Sequence, residues 1–446
     1  MQNLIELDAQ KKRDVNLFPD RSGSQNILSL FDRTVTKGGA KRLAELFSTP
    51  STDVTTLKQR VASIMFWQSY KPKPRFDHQQ MEAITFYLNS GISLKRKGTL
   101  QSVVFSMKDK WRADNDYFII KRGINAIHEF LQEIRHLYRF ASERNPPIQV
   151  KNILDSIDRF CQHPLLSKFI AEYRSDKLIF LISQYDLLLR STMASELYQL
   201  LEIFYEIEAF FSIAETASSR GFAYPVYHDD ENSVIEFTNV FHPLIDNAVG
   251  SDFSISGSKN LCFLTGANMS GKSTFLKAVG IAVYLAHCGF PVPADSLKLP
   301  VCNGLITTIN LSDNLHAGLS HFYSEVKRVK EVALQLKKGQ KLFVIFDELF
   351  RGTNIKDAYK ASLLIIEAFA KIRNSYFIIS THILELADEL QKLDLLFYRY
   401  FLTTNDRNRF HYTRQLKEGV AKESLGLDLV IKENILDILE EISTNE

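Results

Sequence analysis

The chain has 446 residues, enough for two or three domains rather than one. With 45% hydrophobic and 24% charged residues it reads as an ordinary globular protein, and a formal charge of +2 neither requires nor excludes a nucleic-acid partner. The cysteines Cys161, Cys262, Cys288 and Cys302 have no C-x-x-C spacing, the N-terminus has no continuous apolar run, and the apolar stretch 178–189 is too short to cross a bilayer; zinc, disulfide, secreted and membrane classes give way to a reducing, cytoplasmic setting.

In chain order, residues 1–25 are polar and mixed and are expected to form a loosely held N-terminal arm. Residues 26–220 have helical periodicity and little strand-like alternation, which predicts an all-α domain of long antiparallel helices. Asp53 is placed to cap a helix carrying Leu57, Val61, Ile64 and Met65. A second long helix carries Ile124, Ile127, Leu131, Ile134 and Leu137, and a third, over roughly 177–215, carries Leu181, Tyr185, Leu188, Leu197, Leu201, Phe204 and Ile207. One basic cluster (Lys95, Arg96, Lys97, Lys108, Lys110 and Arg112, with Phe105 and Trp111) has the composition to meet phosphates, but such runs are more often solvated faces and it is read so.

At Gly221–Pro225 the composition shifts, and residues 221–446 alternate apolar strands with helices. The runs 261–265, 342–346 and 376–380 are continuously apolar, as in a buried parallel sheet covered by helices. Residues 397–402 and 410–416 flank the polar turn 405–408 and predict an antiparallel hairpin. Residues 423–442 are again helical in pattern.

The chemistry concentrates where the first of these strands ends. Gly266-Ala-Asn-Met-Ser-Gly271-Lys272-Ser273 has the spacing G-x-x-x-x-G-K-[ST] between a strand and a helix, the pattern of a phosphate-binding loop. The glycines permit backbone angles closed to other residues, and the loop N–H groups and helix dipole favour an anion. Lys272 is placed to reach the β- and γ-phosphates of a nucleoside triphosphate, and Ser273 to join a Mg²⁺ ion. A chance Gly/Ser turn is the competing reading, and the flanking strand and helix weigh against it.

The strand at 342–346 ends in Asp347-Glu348. A carboxylate at the end of a buried strand is costly unless it has partners, and beside the phosphate loop Asp347 is assigned to hold Mg²⁺, directly or through water. Glu348 points to the opposite side if the strand continues, and is assigned to activate a water. Thr381-His382 ends the next strand and brings an imidazole to the same edge, though a histidine at a strand end is more often structural. Ser320 precedes a helix, either as its N-cap or as a hydroxyl offered to a phosphate in a neighbouring subunit.

Taken together, the motifs resemble the MutS family of DNA mismatch repair ATPases. The resemblance rests on TGANMSGKSTFLKAVG, GFPVPA at 289–294, D-N-L-x-x-G-x-S-x-F-x-x-E at 313–325, DELFRGT at 347–353, STHILEL at 380–386 and GVAKESLGLDLV at 419–430, with 30–64 similar to the start of the family's core and lever region. It implies an α/β P-loop NTPase domain of the ABC type at 221–446, preceded by an all-α core and lever domain at 26–220. Gly266, Asn268, Met269, Ser270, Gly271, Lys272, Ser273 and Thr274 match the loop that binds ATP, and Ser273 and Asp347 the Mg²⁺ site. Glu348 matches the water-activating carboxylate, His382 the switch histidine, and Ser320 the signature serine that reaches the partner's ATP in a dimer. His242-Pro243 and Phe253 match the segment leading to the adenine pocket, and the C-terminal helices match the dimerising ones.

The expected function is therefore that of a Mg²⁺-dependent ATPase, homodimeric and DNA-associated, with a repair protein as a further partner, and moving lever helices through ATP turnover. The family's mismatch readers carry an N-terminal Phe-x-Glu wedge domain; here the core-like region begins near residue 26, so direct mismatch recognition is not expected and the DNA clamp is expected to be short or absent. Phe350 stands where the family has glycine, and His321 where threonine is usual. A transporter or chromosome-maintenance ATPase would carry Leu-Ser-Gly-Gly-Gln, which does not occur. The alternative from another class is a nucleotide-switched protein-interaction module without DNA binding.

Overall fold

The computed structural model describes residues 14–19, 25–70, 78–91, 112–174, 178–228, 234–309, 321–351, 353–392, 394–406, 409–421 and 435. It is a mixed α/β chain that divides into two compact units. One comprises residues 31–46 and 59–216; the other comprises 1–30, 47–58 and 217–446.

The described elements before residue 221 are helices: α1 Ile27–Phe31, α2 Lys37–Ser48, α3 Val54–Gln68, α4 His78–Asn89, α5 Arg112–Ser142, α6 Ile148–Cys161, α7 Pro164–Glu172, α8 Leu178–Leu187 and α9 Ala194–Arg220. Asp53 caps α3 as expected, accepting from the N–H of Thr56 at 2.9 Å and of Thr55 at 3.3 Å. The stripe Ile124, Ile127, Leu131, Ile134 and Leu137 on α5 is buried throughout. Met65, by contrast, is half exposed, because it follows Ile64 directly and falls off the buried stripe of α3. The long helix expected over 177–215 is interrupted by a π turn, Leu188–Thr192. There Arg190 grips Asp186 with two bonds of 2.7 Å, and Asp186 accepts from Tyr87 Oη of α4 at 2.8 Å. The basic positions 95–110 and Trp111 lie outside the described residues.

The second unit holds two sheets. The strands are β1 Val226–Tyr227, β2 Ile235–Val240, β3 Ser251–Ile255, β4 Leu261–Thr265, β5 Ser296–Leu299, β6 Gly304–Thr308, β7 Leu342–Phe346, β8 Tyr376–Ser380, β9 Leu396–Asp406 and β10 Arg409–Glu418. The small sheet runs β1-β5-β2-β3 and the large one β10-β9-β4-β8-β7-β6. From β9 to β6 every neighbouring pair is parallel, and only the β9–β10 hairpin is antiparallel. A central parallel strand is covered on both faces, which is why β4, β7 and β8 are apolar along their length.

Helix α10, Lys272–Cys288, follows β4, and Gly280 on it is closely packed: a Cβ there would lie 3.2 Å from Val15 Cγ1 and 3.4 Å from Ile345 Cδ1 of β7. Alternation turns the neighbours Val344 and Phe346 into the core cluster on the other face, with α12, Ile355–Ala370. There Phe369 stacks on Phe377 at 4.7 Å and on Phe346 at 6.2 Å. Helices α11, His321–Lys337, and α13, Leu386–Leu390, complete the described elements. Cys262 and Cys288 are fully buried packing residues, as expected.

Part of the segment expected to be a loose arm is packed. Val15 and Leu17 are buried, and Asp14 Oδ2 accepts from Thr307 Oγ1 at 2.9 Å and from Ile309 N at 3.0 Å. The polar composition of the arm hides two apolar side chains and a carboxylate with donors waiting at the end of β6. Among the described residues no helix is long and apolar enough to cross a membrane.

Candidate functional site

Parallel pairing fixes where the site lies. β4, β8 and β7 are adjacent and run the same way, so the residues following them emerge at one edge of the sheet. After β4 the chain turns through Gly266 at φ 141°, Met269 at φ 67° and Gly271 at φ 118°. A side chain on Gly266 would also meet Ser270 Oγ at 3.0 Å and Phe401 at 3.4 Å. No side chain caps α10 at Gly271, and its first-turn N–H groups have no acceptor within the helix. These donors, with the helix dipole, make an anion site.

Lys272 is buried and curls back over the loop, its Nζ donating to the carbonyls of Gly266 at 2.6 Å and Ala267 at 3.1 Å. Burial holds its ammonium below the usual lysine range, while the carboxylates of Glu348 and Asp347 pull it back up. Ser273 Oγ donates to Asp347 Oδ2 at 2.6 Å, joining the loop helix to the end of β7. The other oxygen, Oδ1, accepts from Ser380 Oγ at 2.5 Å.

Glu348 departs from the expected alternation. β7 ends at Phe346, and Glu348 takes a left-handed backbone, φ 56°. Its N–H donates to Ser380 Oγ at 3.0 Å, and its Oε2 accepts from Arg351 at 2.7 Å. Phe350 is also left-handed, φ 63°, and buries its ring 5.6 Å from that of Phe322.

Thus the loop residues Gly266–Ser273 come together with Asp347 and Glu348. Asn268 and Met269 on the loop and Thr274 in the first turn of α10 are exposed. Ser270 is buried, and its hydroxyl has no hydrogen-bond partner among the described residues. His382 is exposed just past the end of β8. Phe253 is only 3% exposed, and its ring is packed among Phe237, Phe275 and Phe397 at 5.4–6.1 Å. His242 is buried; burial, and then the charge of Lys277, push its pKa down to about 4. Ser320 and nearly all of 422–446 lie outside the described residues.

Two residues at the site were not singled out from sequence. Arg351 sits three positions after Glu348, and Ser380 ends an apolar strand; neither spacing alone signals a role. The hydroxyl of Ser273 and the carboxylate of Asp347 are hard oxygen donors in contact, a pairing that suits Mg²⁺ with phosphate and water as its remaining ligands. The unpartnered Ser270 hydroxyl and the buried ammonium suit a phosphate.

Residues 262–442 match the family model for MutS domain V. The chain is 26% identical over 283 residues to the DNA mismatch repair protein MutS of Pseudothermotoga lettingae, covering 62% of this chain and 34% of that one. It is 27% identical over 328 residues to MutS of Lactococcus lactis (71% and 36%), and 30% identical over 230 residues to MutS of Aquifex pyrophilus (50% and 26%). The chain spans about a third of the length of the relatives it matches. The comparisons thus place the C-terminal region, residues 262–442, in the MutS family through its domain V.

Proposed function

We propose that this chain is a MutS-type ATPase of P-loop fold, which binds ATP with Mg²⁺ at the loop after β4, hydrolyses it, and uses the cycle to move its helical lever on DNA as a homodimer. The observation that carries the reading is the 2.6 Å contact of Ser273 with Asp347 beside the buried ammonium of Lys272. It supports a site built for phosphate and a divalent cation together. The cation would be held by Ser273 and Asp347, and supplies charge neutralisation at the phosphates.

The chain's own groups have separable roles. Lys272 has three donors and spends two on loop carbonyls, which leaves the third and the charge for the β- and γ-phosphates. The loop and α10 N–H groups bind the phosphate oxygens. Glu348 takes a proton from the water that attacks the γ-phosphorus; the bond to the β,γ-bridging oxygen breaks, and ADP and phosphate leave. His382, on the same edge, responds to the γ-phosphate, and Ser320 completes the partner's site.

The test is binding of a fluorescent ATP analogue, turnover, and binding to homoduplex, mismatched and branched DNA across salt concentrations. Lys272→Ala is expected to abolish nucleotide binding. Glu348→Ala is expected to bind normally and not to turn over; normal hydrolysis by that variant sinks the assignment of the base. Failure to bind any of the DNAs near physiological salt would leave a nucleotide-switched interaction module instead.

A further inference from the structure

We propose that Ser380 is a positioning residue, whose one hydroxyl sets both the carboxylate assigned to the metal and the backbone of the residue assigned as base. The inference rests on the nucleotide reading above. Register puts Ser380 in place: Phe346 on β7 pairs with Ile379 on β8, so Asp347 and Ser380 stand level where both strands end. Ser380 is 0% exposed, so its hydroxyl finds its partners within the protein.

The two bonds have a forced direction. A serine hydroxyl carries one proton and two lone pairs. The Glu348 N–H is only a donor, so the hydroxyl accepts from it at 3.0 Å and spends its own proton on Asp347 Oδ1. With Oδ1 tied, Oδ2 faces Ser273 at 2.6 Å. The carboxylate is thus clamped between two hydroxyls, one from β8 and one from α10.

The second bond acts on Glu348. A glutamate at φ 56° is in a region that non-glycine residues hold only when their surroundings impose it. The tether from its N–H to Ser380 is such an imposition. Loss of the hydroxyl therefore releases two things at once, the orientation of Asp347 and the turn that carries Glu348. The pairing of β8 with β4 at Leu264 runs through the backbone and does not need the hydroxyl. Groups that orient a metal ligand in this way are typically worth about 10- to 100-fold in metal affinity.

The experiment uses the full chain saturated with ADP, with Mn²⁺ titrated in as a paramagnetic probe and read by electron paramagnetic resonance. Ser380→Ala is expected to weaken Mn²⁺ binding by about tenfold or more and to lower kcat by a similar factor. The KM for ATP and the binding of a fluorescent ATP analogue in EDTA should stay within about twofold of wild type. Ser380→Thr, which keeps the hydroxyl, is expected to recover Mn²⁺ affinity. A Ser380→Ala protein that melts as wild type does and keeps wild-type Mn²⁺ affinity and kcat overturns the proposal. If the alanine variant does not fold, Ser380→Cys, a near-isostere with a weak donor, is judged on the same two numbers. Lys272→Ala separates the failures: should it bind nucleotide normally, the underlying site reading falls whatever Ser380 does.

Discussion

The guanidinium of Arg351 donates to Glu348 Oε2 at 2.7 Å, so the carboxylate whose field reaches Lys272 is already held by a cation three residues along the chain. Arg351 is itself 68% exposed, so the pair contributes less than about 1 kcal/mol to folding. Its value lies in orientation. Arg351→Ala is expected to lower kcat by about tenfold, a part of what a positioned base contributes, with nucleotide affinity and melting temperature unchanged. Steady-state turnover beside equilibrium binding checks this, and an unaltered kcat would remove Arg351 from the site.

Gly271 should resist substitution for a reason other than space. A Cβ there would find only Phe401 at 3.7 Å, an ordinary contact, but φ is 118°. Gly271→Ala is expected to cost about 1–3 kcal/mol, either as lost stability or as a loop that relaxes and binds ATP more than tenfold more weakly. Gly266→Ala should be worse, because it adds the 3.0 Å approach to Ser270 to an unfavourable φ of 141°. Urea unfolding and nucleotide titration of both variants decide the order.

Phe350 sets two effects against each other. Glycine would relieve a left-handed backbone worth about 1–2 kcal/mol. It would also delete a buried ring packed on Phe322, worth about 3–5 kcal/mol. Packing wins, so Phe350→Gly is expected to destabilise the protein by about 2 kcal/mol, read as a lower urea midpoint at unchanged m-value.

His242 makes stability depend on mild acid. Its pKa is near 4 in the folded protein against 6.5 ordinarily, and its Nδ1 accepts from Leu244 N–H, which requires the neutral ring. Below pH 6.5 the unfolded chain takes up a proton that the folded one refuses, so stability falls as pH drops from 6.5 toward 4. The loss attributable to His242 is about 3 kcal/mol. Unfolding free energies of wild type and His242→Gln across this range should converge as pH falls; parallel curves would count against it.

Legibility from sequence followed how local each determinant is. The strands 261–265, 342–346 and 376–380 are apolar because their place in a covered parallel sheet demands it, and their ends carry the site residues. β6 and the four-stranded sheet were not expected, since their short runs have few distinguishing residues. The π turn at Leu188–Thr192 contains neither glycine nor proline and depends on Asp186 and Arg190 meeting Tyr87 from another helix. The turn at Glu348 depends on a hydroxyl from β8. The aromatic cluster around Phe253 was not legible either, since Phe237, Phe275 and Phe397 come from three other elements far apart in sequence.

The order β9-β4-β8 has a consequence for biosynthesis. β4 emerges from the ribosome more than a hundred residues before either of its two neighbours, residues 376–380 and 396–400. At about 5–20 residues per second, the nascent loop waits on the order of ten seconds before either flank exists. Its ends are then closed by contacts distant in sequence, which are slow to form. Nucleotide added during synthesis or refolding should therefore bind only late, after the hairpin that follows β8 has docked.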